Sequence, residues 1–332
     1  MFYRLIGILV LGGSFALAWV MMSLNSFSSN PMQLPEAGVS YVLMPGSSLS
    51  AVARDLEQRG YLESALYFQL MARLDGQASR IKAGEYHLAS GLTPKSLLAL
   101  LVSGRVMNHT LTLVEGWTFQ QVLVAVEGHQ ALKKTLSGLS DEEIMDNLGF
   151  SAMHPEGRFL PDTYHFPKGT TDLDFLKRAH RAMEQLLARE WAARAPNLPL
   201  KSPYEALIIA SIVEKETGQA EERPEIAGVF IRRLKKGMRL QTDPTVIYGM
   251  GQTFNGNIRR SDLRQDTPYN TYVHRGLPPT PISMPGADAL HAVLHPADGN
   301  SLYFVAKGDG YHHFSDTLAE HNKAVRKYQL KR

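Results

Sequence analysis

Two acidic residues, Glu214 and Glu216, lie at the C-terminal end of the most apolar helix that the sequence predicts after its N-terminal segment. The helix covers Pro203–Thr217, and all but one of the residues Ala206–Val213 are apolar. Ile209, Val213 and Glu216 are spaced i, i+4 and i+7, so they lie on one stripe. A carboxylate that continues an apolar stripe lies at the edge of a core, where desolvation raises its pKa, and the helix C-terminus raises it further. Both effects favour a carboxyl group that is protonated near neutral pH, as a general acid must be.

Glu214 is the alternative candidate for the same role. Residues i and i+2 are about 200° apart around a helix, so one cleft rarely uses both equally. Lys215 could pair with a neighbouring acid and lower its pKa, and both acids could simply end the helix in salt bridges. The periodicity therefore ranks Glu216 above Glu214 without deciding between them.

A second group of polar residues follows within Lys236–Gly249, between Gly and Pro residues that favour a polar loop of fixed shape. The segment Pro268–Tyr272 adds two more candidates. Aromatic rings stack on the apolar faces of sugars, while amides and carboxylates bond their hydroxyls. The alternative is an ordered loop whose side chains satisfy its own backbone. The candidates are Gln241, Thr242, Asp243, Tyr248, Asn270 and Tyr272.

Other chemistries have little support. The chain contains no cysteine, which excludes disulfides, thiolate metal sites and Cys nucleophiles. Neither GxxxxGK[ST] nor GxGxxG is present, and Ser211 lies inside a helix and not on a GxSxG elbow. We therefore predict no cofactor. Four histidines match no familiar ligand spacing and predict no metal, with the adjacent pair expected to be solvated: His295, His312, His313 and His321.

Length and charge limit the architecture. A chain of 332 residues with 44% hydrophobic residues predicts two domains with real cores, and a net charge of +3 without a basic stripe predicts no nucleic-acid partner. Leu5–Met22 carries no charge and is just long enough to span a bilayer. A cleaved signal peptide is the alternative, but the apolar stretch is too long. Arg4 precedes the stretch and Arg54 is the next basic residue, which predicts an anchor with the bulk of the chain outside the cytoplasm.

The remaining sequence predicts a mixed α+β fold. We assign 1–24 to the cytoplasmic tip and anchor, 25–40 to a tether, 41–105 to a small β-α-α-β module and 106–332 to a larger α+β domain. Within the larger domain, Gly, Pro, Asn and Tyr predict irregular chain from about 237 to 286. Helices are predicted over 140–148, 172–192, 203–217, 222–236, 287–294 and 318–330, with a strand over 302–306.

The chain resembles the YceG/MltG family of endolytic murein transglycosylases over nearly its whole length. The resemblance rests on the motifs Glu214-Lys215-Glu216-Thr217 and Arg239–Gly249, and on Tyr269–Tyr272, Gly276–Pro279, Leu302–Ala306, Glu156-Gly157 and Pro161–Tyr164. Residues 41–103 by themselves resemble a LysM-like carbohydrate-binding module.

The resemblance implies an anchor in the inner membrane, a LysM-like subdomain and a catalytic domain in the periplasm. It implies cleavage of the MurNAc-β-1,4-GlcNAc bond of nascent glycan strands with 1,6-anhydro-MurNAc ends, and hence termination of strand elongation. Its catalytic acid matches Glu216, and peptidoglycan synthases (penicillin-binding proteins) are the implied partners. We expect the following side chains to surround the sugars: Gln241, Thr242, Asp243, Tyr248, Asn270, Tyr272, Glu156 and Glu214.

One carboxylate is sufficient for this reaction. Ordinary glycosidases need two carboxylates, because one protonates the leaving oxygen and the other attacks or activates water. A lytic transglycosylase uses the C6 hydroxyl of its own substrate, so Glu216 could act first as acid and then as base. The alternative is a non-catalytic, membrane-anchored protein that binds peptidoglycan and recruits synthases.

Overall fold

The computed structural model describes residues 2–330, which divide into two compact units. Unit 1 runs to His109 and also includes His165–Gly169, and unit 2 comprises Thr110–Tyr164 and the chain from Thr170 onward. The sequence places the end of the small module at residue 105, which stays a prediction. The short second segment of unit 1 was not expected, because the sequence assigned that stretch to the larger domain.

The chain begins with α1 (Phe2–Ser29), whose part Ile6–Ser29 is apolar enough to cross a membrane, with a mean hydropathy of 2.0. A signal sequence at an N-terminus has the same properties. The segment 25–40, which the sequence assigns to a tether, begins inside a helix and packs in part against unit 1. Helix α1 continues to Ser29, and Phe27 and Met32 are buried in the core of unit 1, so their apolar side chains hold this segment against the unit.

Unit 1 contains β1 (Val39–Leu43), α2 (Leu49–Gln58), α3 (Ala65–Leu74), β2 (Gly84–Leu88) and α4 (Pro94–Ser103). The two strands pair antiparallel, with Tyr41 opposite Tyr86. Ser48, Ser64 and Thr93 cap the three helices with their side-chain oxygens, which is the local signal that made these helices predictable. In chain order these elements are β-α-α-β followed by α4.

A buried carboxylate holds the separate segment of unit 1 in place. Glu85 accepts hydrogen bonds from Ser40, from His109 at 2.7 Å and from Lys168 at 3.2 Å. These donors, Ser40 first and then His109, lower the pKa of Glu85 to about 2. The ion pair with Lys168 joins Glu85 to the segment His165–Gly169, which is far away in sequence.

Unit 2 is mainly helical. Strands β3 (Asn108–Thr112) and β4 (Thr163–Pro167) each have residues in both units. The elements that lie wholly in unit 2 are, in chain order, α5 (Phe119–Gly128), α6 (Asp141–Leu148), α7 (Asp172–Ala192), α8 (Pro203–Glu216), α9 (Arg223–Lys235), α10 (Asp243–Met250), α11 (Ala287–Leu294), β5 (Tyr303–Ala306), β6 (His312–Ser315) and α12 (Leu318–Tyr328). Strand β3 pairs with β4, and β5 pairs antiparallel with β6. Short 3₁₀ turns lie at Ala220–Glu222, Gly251–Thr253 and Asp262–Arg264.

Helix α8 is the centre of the core of unit 2. Every residue from Ala206 to Val213 is buried, and α8 packs against α7, α9 and α11. Ser211 is the polar residue in this run. Its hydroxyl donates to Ile208 O at 2.7 Å and accepts from Ile282 N at 3.0 Å, so it ties the segment before α11 to α8. The role is structural, in agreement with the absence of a GxSxG elbow.

The expectation of irregular chain throughout 237–286 is wrong for Asp243–Met250, which forms α10. Pro244 suggested a break, but it lies in the first turn, where a helix tolerates Pro because the missing N–H has no partner there. The strands β4 and β6 were also missed. The β6 sequence, His312–Ser315, is short and has no run of β-branched residues.

Candidate active site

Glu216, the last residue of α8, lies on the wall of a polar cavity of about 550 Å³ in unit 2. The cavity is bounded by α9, the loop before α10, β5, β6 and α12. Its lining includes Glu216, Arg233, Gln241, Thr242, Asp243, Tyr272, Tyr303, Phe304, His312, His321 and Asn322. Four of the side chains that the sequence predicts around the acid therefore share its cavity: Gln241, Thr242, Asp243 and Tyr272.

The surroundings of Glu216 favour its protonated form. The desolvation of this half-buried carboxyl raises its pKa to about 7, and the nearby Asp243 carboxylate contributes to the rise. Thr242 Oγ1, which donates to Glu216 Oε1, opposes this rise, as do His312 and Arg233 at longer range. A group with a pKa near neutrality can both give and accept a proton, as the helix stripe predicted.

A network of threonines positions the hydroxyl that contacts Glu216. The backbone N–H of Thr242 donates to Thr271 Oγ1 at 3.1 Å, and Thr245 Oγ1 donates to Thr242 O at 2.8 Å. The hydroxyls of Thr245 and Thr271 are also 2.9 Å apart, and all three threonines are buried. The residue before them, Gln241, has a φ of 52°, a left-handed conformation that is costly for a residue with a Cβ. Held this way, Thr242 keeps its side chain on Glu216 instead of capping α10.

Asp243 and Tyr272 form a second polar pair in the cavity. Tyr272 Oη donates to Asp243 Oδ1 at 2.6 Å, which keeps the exposed carboxylate oriented. Burial raises the pKa of the Tyr272 hydroxyl, and the hydrogen bond to Asp243 raises it further, so this hydroxyl is neutral and acts as a donor. The pair therefore presents an anion and a fixed ring beside Glu216.

Arg233 is a cavity residue that sequence reasoning did not select. Its side chain, which is 7% exposed, donates through Nε to Leu302 O at 2.6 Å and through Nη1 to Leu240 O at 2.6 Å. The guanidinium also lies over the Tyr303 ring, 5.1 Å from its centre. Arg233 thus joins α9, the loop before α10 and β5 around the cavity. The signal was hidden because the side chain bonds to backbone carbonyls, which any residue can supply.

His312 corrects the expectation of a solvated histidine pair. Its ring nitrogen Nδ1 is 2.8 Å from Glu222 Oε2, and its backbone N–H donates to Glu222 Oε1 at 2.7 Å. The side chain is only 12% exposed and lines the cavity, whereas His313 is exposed. His321 also lines the cavity, stacked on Tyr303 at 5.3 Å. The partner Glu222 lies 90 residues from His312 in sequence, so spacing gave no signal.

Glu156 and Tyr248 pair with each other, and neither is among the cavity residues. Tyr248 Oη donates to Glu156 Oε2 at 2.9 Å, and Phe119 N donates to Oε1 at 3.0 Å. Burial nevertheless raises the pKa of Glu156 to about 7, because the two donors offset only part of its desolvation. This pair links the start of α5 to α10.

Asn270 and Glu214 also bond to neighbouring chain. The Asn270 amide donates to Asp262 O and Gln265 O at 3.2 and 2.7 Å, which closes the loop before Tyr272. Glu214 pairs with Arg223 at 3.2 Å and accepts from Gly286 N at 2.8 Å. Burial raises the pKa of Glu214, but these partners oppose the rise. Glu214 and Glu216 therefore face different surroundings, as their separation around the helix predicted.

The protonation of Glu156 should make the free energy of unfolding depend on pH. Because its folded-state pKa lies above its unfolded value, the folded protein binds more protons between about pH 4.5 and 7, and this contribution to stability is lost as the pH rises. Glu156→Gln should therefore gain stability relative to the wild type, by about 3 kcal/mol from pH 4.5 to 8 at 1.36 kcal/mol per pKa unit. Urea unfolding at several pH values measures this difference. The exposed Glu142→Gln is the control, and a difference that does not change with pH would contradict the assignment.

Fold and cavity define an α+β protein in which an acid of near-neutral pKa lies among hydroxyl, amide and aromatic groups suited to a polar ligand. A family model described as the YceG-like family matches residues 41–327, and the chain belongs to this family.

The chain is also similar in sequence to proteins that have been named. The endolytic murein transglycosylase of Bacillus subtilis (strain 168) is 34% identical over 300 residues, covering 85% of this chain and 82% of that protein. The endolytic murein transglycosylase of Streptococcus pneumoniae serotype 2 is 28% identical over 360 residues, covering 98% of this chain and 64% of that longer protein. A 2.6 Å crystal structure of a YceG-like protein from Listeria monocytogenes is 32% identical, with a TM-score of 0.55, covering 87% of this chain and 99% of that one.

Proposed function

We propose that this protein is an endolytic murein transglycosylase, a lyase that cleaves the MurNAc-β-1,4-GlcNAc bond inside glycan strands and leaves 1,6-anhydro-MurNAc ends. The observation that carries the proposal is the position of Glu216, an acid with a pKa near 7 on the wall of a polar cavity, in a chain of this family. The names of the bacterial relatives support the substrate class.

The reaction needs one group that first donates and then accepts a proton. Protonated Glu216 gives its proton to the glycosidic oxygen as the bond from C1 of MurNAc to that oxygen breaks, and the GlcNAc leaves with a free 4-hydroxyl. The Glu216 carboxylate then takes the proton of the MurNAc C6 hydroxyl as O6 bonds to C1. The acid is regenerated and no water is consumed. Because the nucleophile is part of the substrate, its effective concentration is high.

The cavity residues supply orientation and binding. We assign Thr242 to holding the Glu216 carboxyl in place, and Gln241, Asp243 and Tyr272 to hydrogen bonds with sugar hydroxyls and acetamido groups. Tyr303, whose ring contacts Arg233 and His321, contributes to the wall of the cavity. His312, His321 and Asn322 extend this polar lining.

The other predicted binding residues fit a positioning role better. Glu156 with Tyr248, Glu214 with Arg223, and Asn270 within its own loop are all bonded to protein groups. We therefore propose that these residues shape the walls of unit 2 and do not contact the sugars.

Replacing Thr242 by Val should move the alkaline limit of activity to higher pH. The Thr242 hydroxyl stabilises the Glu216 carboxylate and lowers its pKa, so its loss raises that pKa. Because the protonated acid starts the reaction, kcat/KM should remain high to a higher pH before it falls. The pH profile of kcat/KM measures this shift, with the exposed Thr253→Val as control. An alkaline limit that stays in place or moves to lower pH would contradict the role of Thr242.

The decisive experiment is a digest of peptidoglycan sacculi by the full-length protein in detergent, with mass analysis of the released fragments. Anhydro ends at internal cleavage sites are the expected result. Reducing ends would mean a hydrolase, and retention on sacculi without cleavage would mean the non-catalytic binding protein. Either of these two results would overturn the proposed reaction.

The proposed setting is the inner membrane, with α1 as a single-pass anchor and unit 2 in the periplasm. The basic Arg4 before the apolar stretch supports this orientation. We propose that unit 1 is the LysM-like glycan-binding module, since its β-α-α-β order agrees with that resemblance. Penicillin-binding synthases are the proposed partners, because cleavage of nascent strands would end their elongation.

A further inference from the structure

Three metal-ligating side chains meet where the C-terminal ends of α7 and α11 pack together. Glu190 comes from α7, and His291 and His295 come from the end of α11. One donor atom from each lies within 4.8 Å of the other two. None of the three lines the cavity that holds Glu216, so this cluster is separate from the candidate active site.

The histidine spacing suits a shared ligand. His291 lies in α11 and His295, four positions later, is its C-cap residue. Two His at this spacing also occur in a familiar zinc motif. The two rings stack at 4.4 Å with an angle of 30° between them, and His291 Nδ1 is 2.8 Å from Glu190 Oε2. Sequence spacing to Glu190 gave no signal, because this residue lies 101 positions before His291.

Neighbouring groups orient the Glu190 carboxylate. Arg189 donates through Nε and Nη2 to Glu190 Oε1, each at 3.1 Å, and leaves Oε2 directed at His291. Hydrogen bonds from such outer partners orient carboxylate ligands in metal sites. The backbone contact of Ala195 N with Leu294 O at 2.9 Å fixes the two helix ends together. Two ligands therefore stand on a helix whose position against the third is set by packing.

We propose that Glu190, His291 and His295 bind a divalent transition-metal ion of the zinc class. Two imidazoles and a carboxylate suit zinc, nickel or copper better than calcium or magnesium, which prefer oxygen ligands. Donor atoms of a tetrahedral zinc site lie about 3.3 Å apart, given Zn–N distances of about 2.0–2.1 Å. The donor atoms here lie within 4.8 Å of one another, so metal binding requires a small movement of the ligands toward that spacing.

Such an ion would join α7 to α11 and so stabilise the packing around α8. Helix α11 packs against both α8 and α9, which carry Glu216 and Arg233. A ligand that binds only the folded state raises the unfolding temperature. The expected effect is therefore on stability and does not depend on the proposed reaction.

The test is a titration of EDTA-treated full-length protein with ZnCl2, followed by calorimetry and by the thermal midpoint. We expect one zinc ion per chain and a higher midpoint, with at least a tenfold loss of affinity in His291→Gln and in His295→Gln. The matched control is His274→Gln, since His274 pairs with Asp266 at 2.6 Å and, among the described residues, belongs to no group of three ligands.

Wild-type protein without saturable binding would overturn the proposal, as would His291 and His295 variants that bind zinc as the wild type does. The thermal midpoint in EDTA shows whether each variant is folded. His291 is 61% exposed at its side chain, so His291→Gln leaves the core intact and keeps the test decisive even if His295→Gln is unstable.

Discussion

Replacing Glu216 by Gln should lower the rate of anhydro-product release from sacculi by about 10²–10⁴-fold, the range that general acid–base catalysis by one side chain contributes. The amide keeps the size of the side chain, and its oxygen can still accept a hydrogen bond from the Thr242 hydroxyl. It cannot act as the proton donor and acceptor that the reaction needs. Because the same group serves as acid and then as base, both halves of the proposed reaction lose their catalyst. Fragment analysis by mass spectrometry under single-turnover conditions measures the loss.

Glu214→Gln is the matched control, since it alters the other acid of the same helix end. Its partners are Arg223 and Gly286, so its replacement should lower the free energy of unfolding. The rate at saturating substrate should stay close to that of the wild type. Full anhydro-product formation by Glu216→Gln together with none by Glu214→Gln would reverse the assignment of the two acids.

Replacing Arg233 by Met should lower the free energy of unfolding of unit 2 by about 3–5 kcal/mol, because hydrogen bonds to charged groups contribute about 1.5–3 kcal/mol each. Met fills a similar volume but leaves the carbonyls of Leu240 and Leu302 without their donor. At about 2–4 °C per kcal/mol for a unit of this size, the thermal midpoint should fall by about 10 °C. Calorimetry measures both quantities.

The control is Arg181→Met on the exposed face of α7, which should change the unfolding free energy by less than about 0.5 kcal/mol. Arg233→Lys should recover part of the lost stability, since an ammonium can reach one carbonyl but cannot bond both at once. Equal stability of Arg233→Met and the wild type would mean that these carbonyls find other partners.

Local signals in the sequence predicted much of the fold. The helices at 172–192 and 287–294 have the predicted bounds, and a capping box of Ser140 with Glu143 begins the helix predicted over 140–148. Helix caps and apolar periodicity act within a few residues, so they can be recognised without knowledge of the tertiary structure. The burial of Phe27 and the helix α10 with Pro244 in its first turn were not predicted, because both depend on the tertiary structure.

The candidate site also has a part that local sequence signals predicted and a part that they missed. The apolar stripe of one helix predicted the desolvated environment of Glu216, and its catalytic role stays a prediction. Arg233 and His312 were missed because their partners, Leu302 and Glu222, are 69 and 90 residues away. Glu156 and Tyr248 were selected separately, but their contact spans 92 residues and only the fold reveals it.

The length of the continuous helix α1 limits how far unit 1 can lie from a membrane that α1 spans. Ile6–Ser29 has 24 residues, or about 36 Å at 1.5 Å per residue, against a hydrocarbon core of about 30 Å. If α1 spans the inner membrane, its last turn lies among the lipid headgroups, and that turn carries Phe27 in the core of unit 1. Unit 1 would then lie directly at the membrane surface, and the glycan binding that we propose for it would be confined to the layer closest to the lipid.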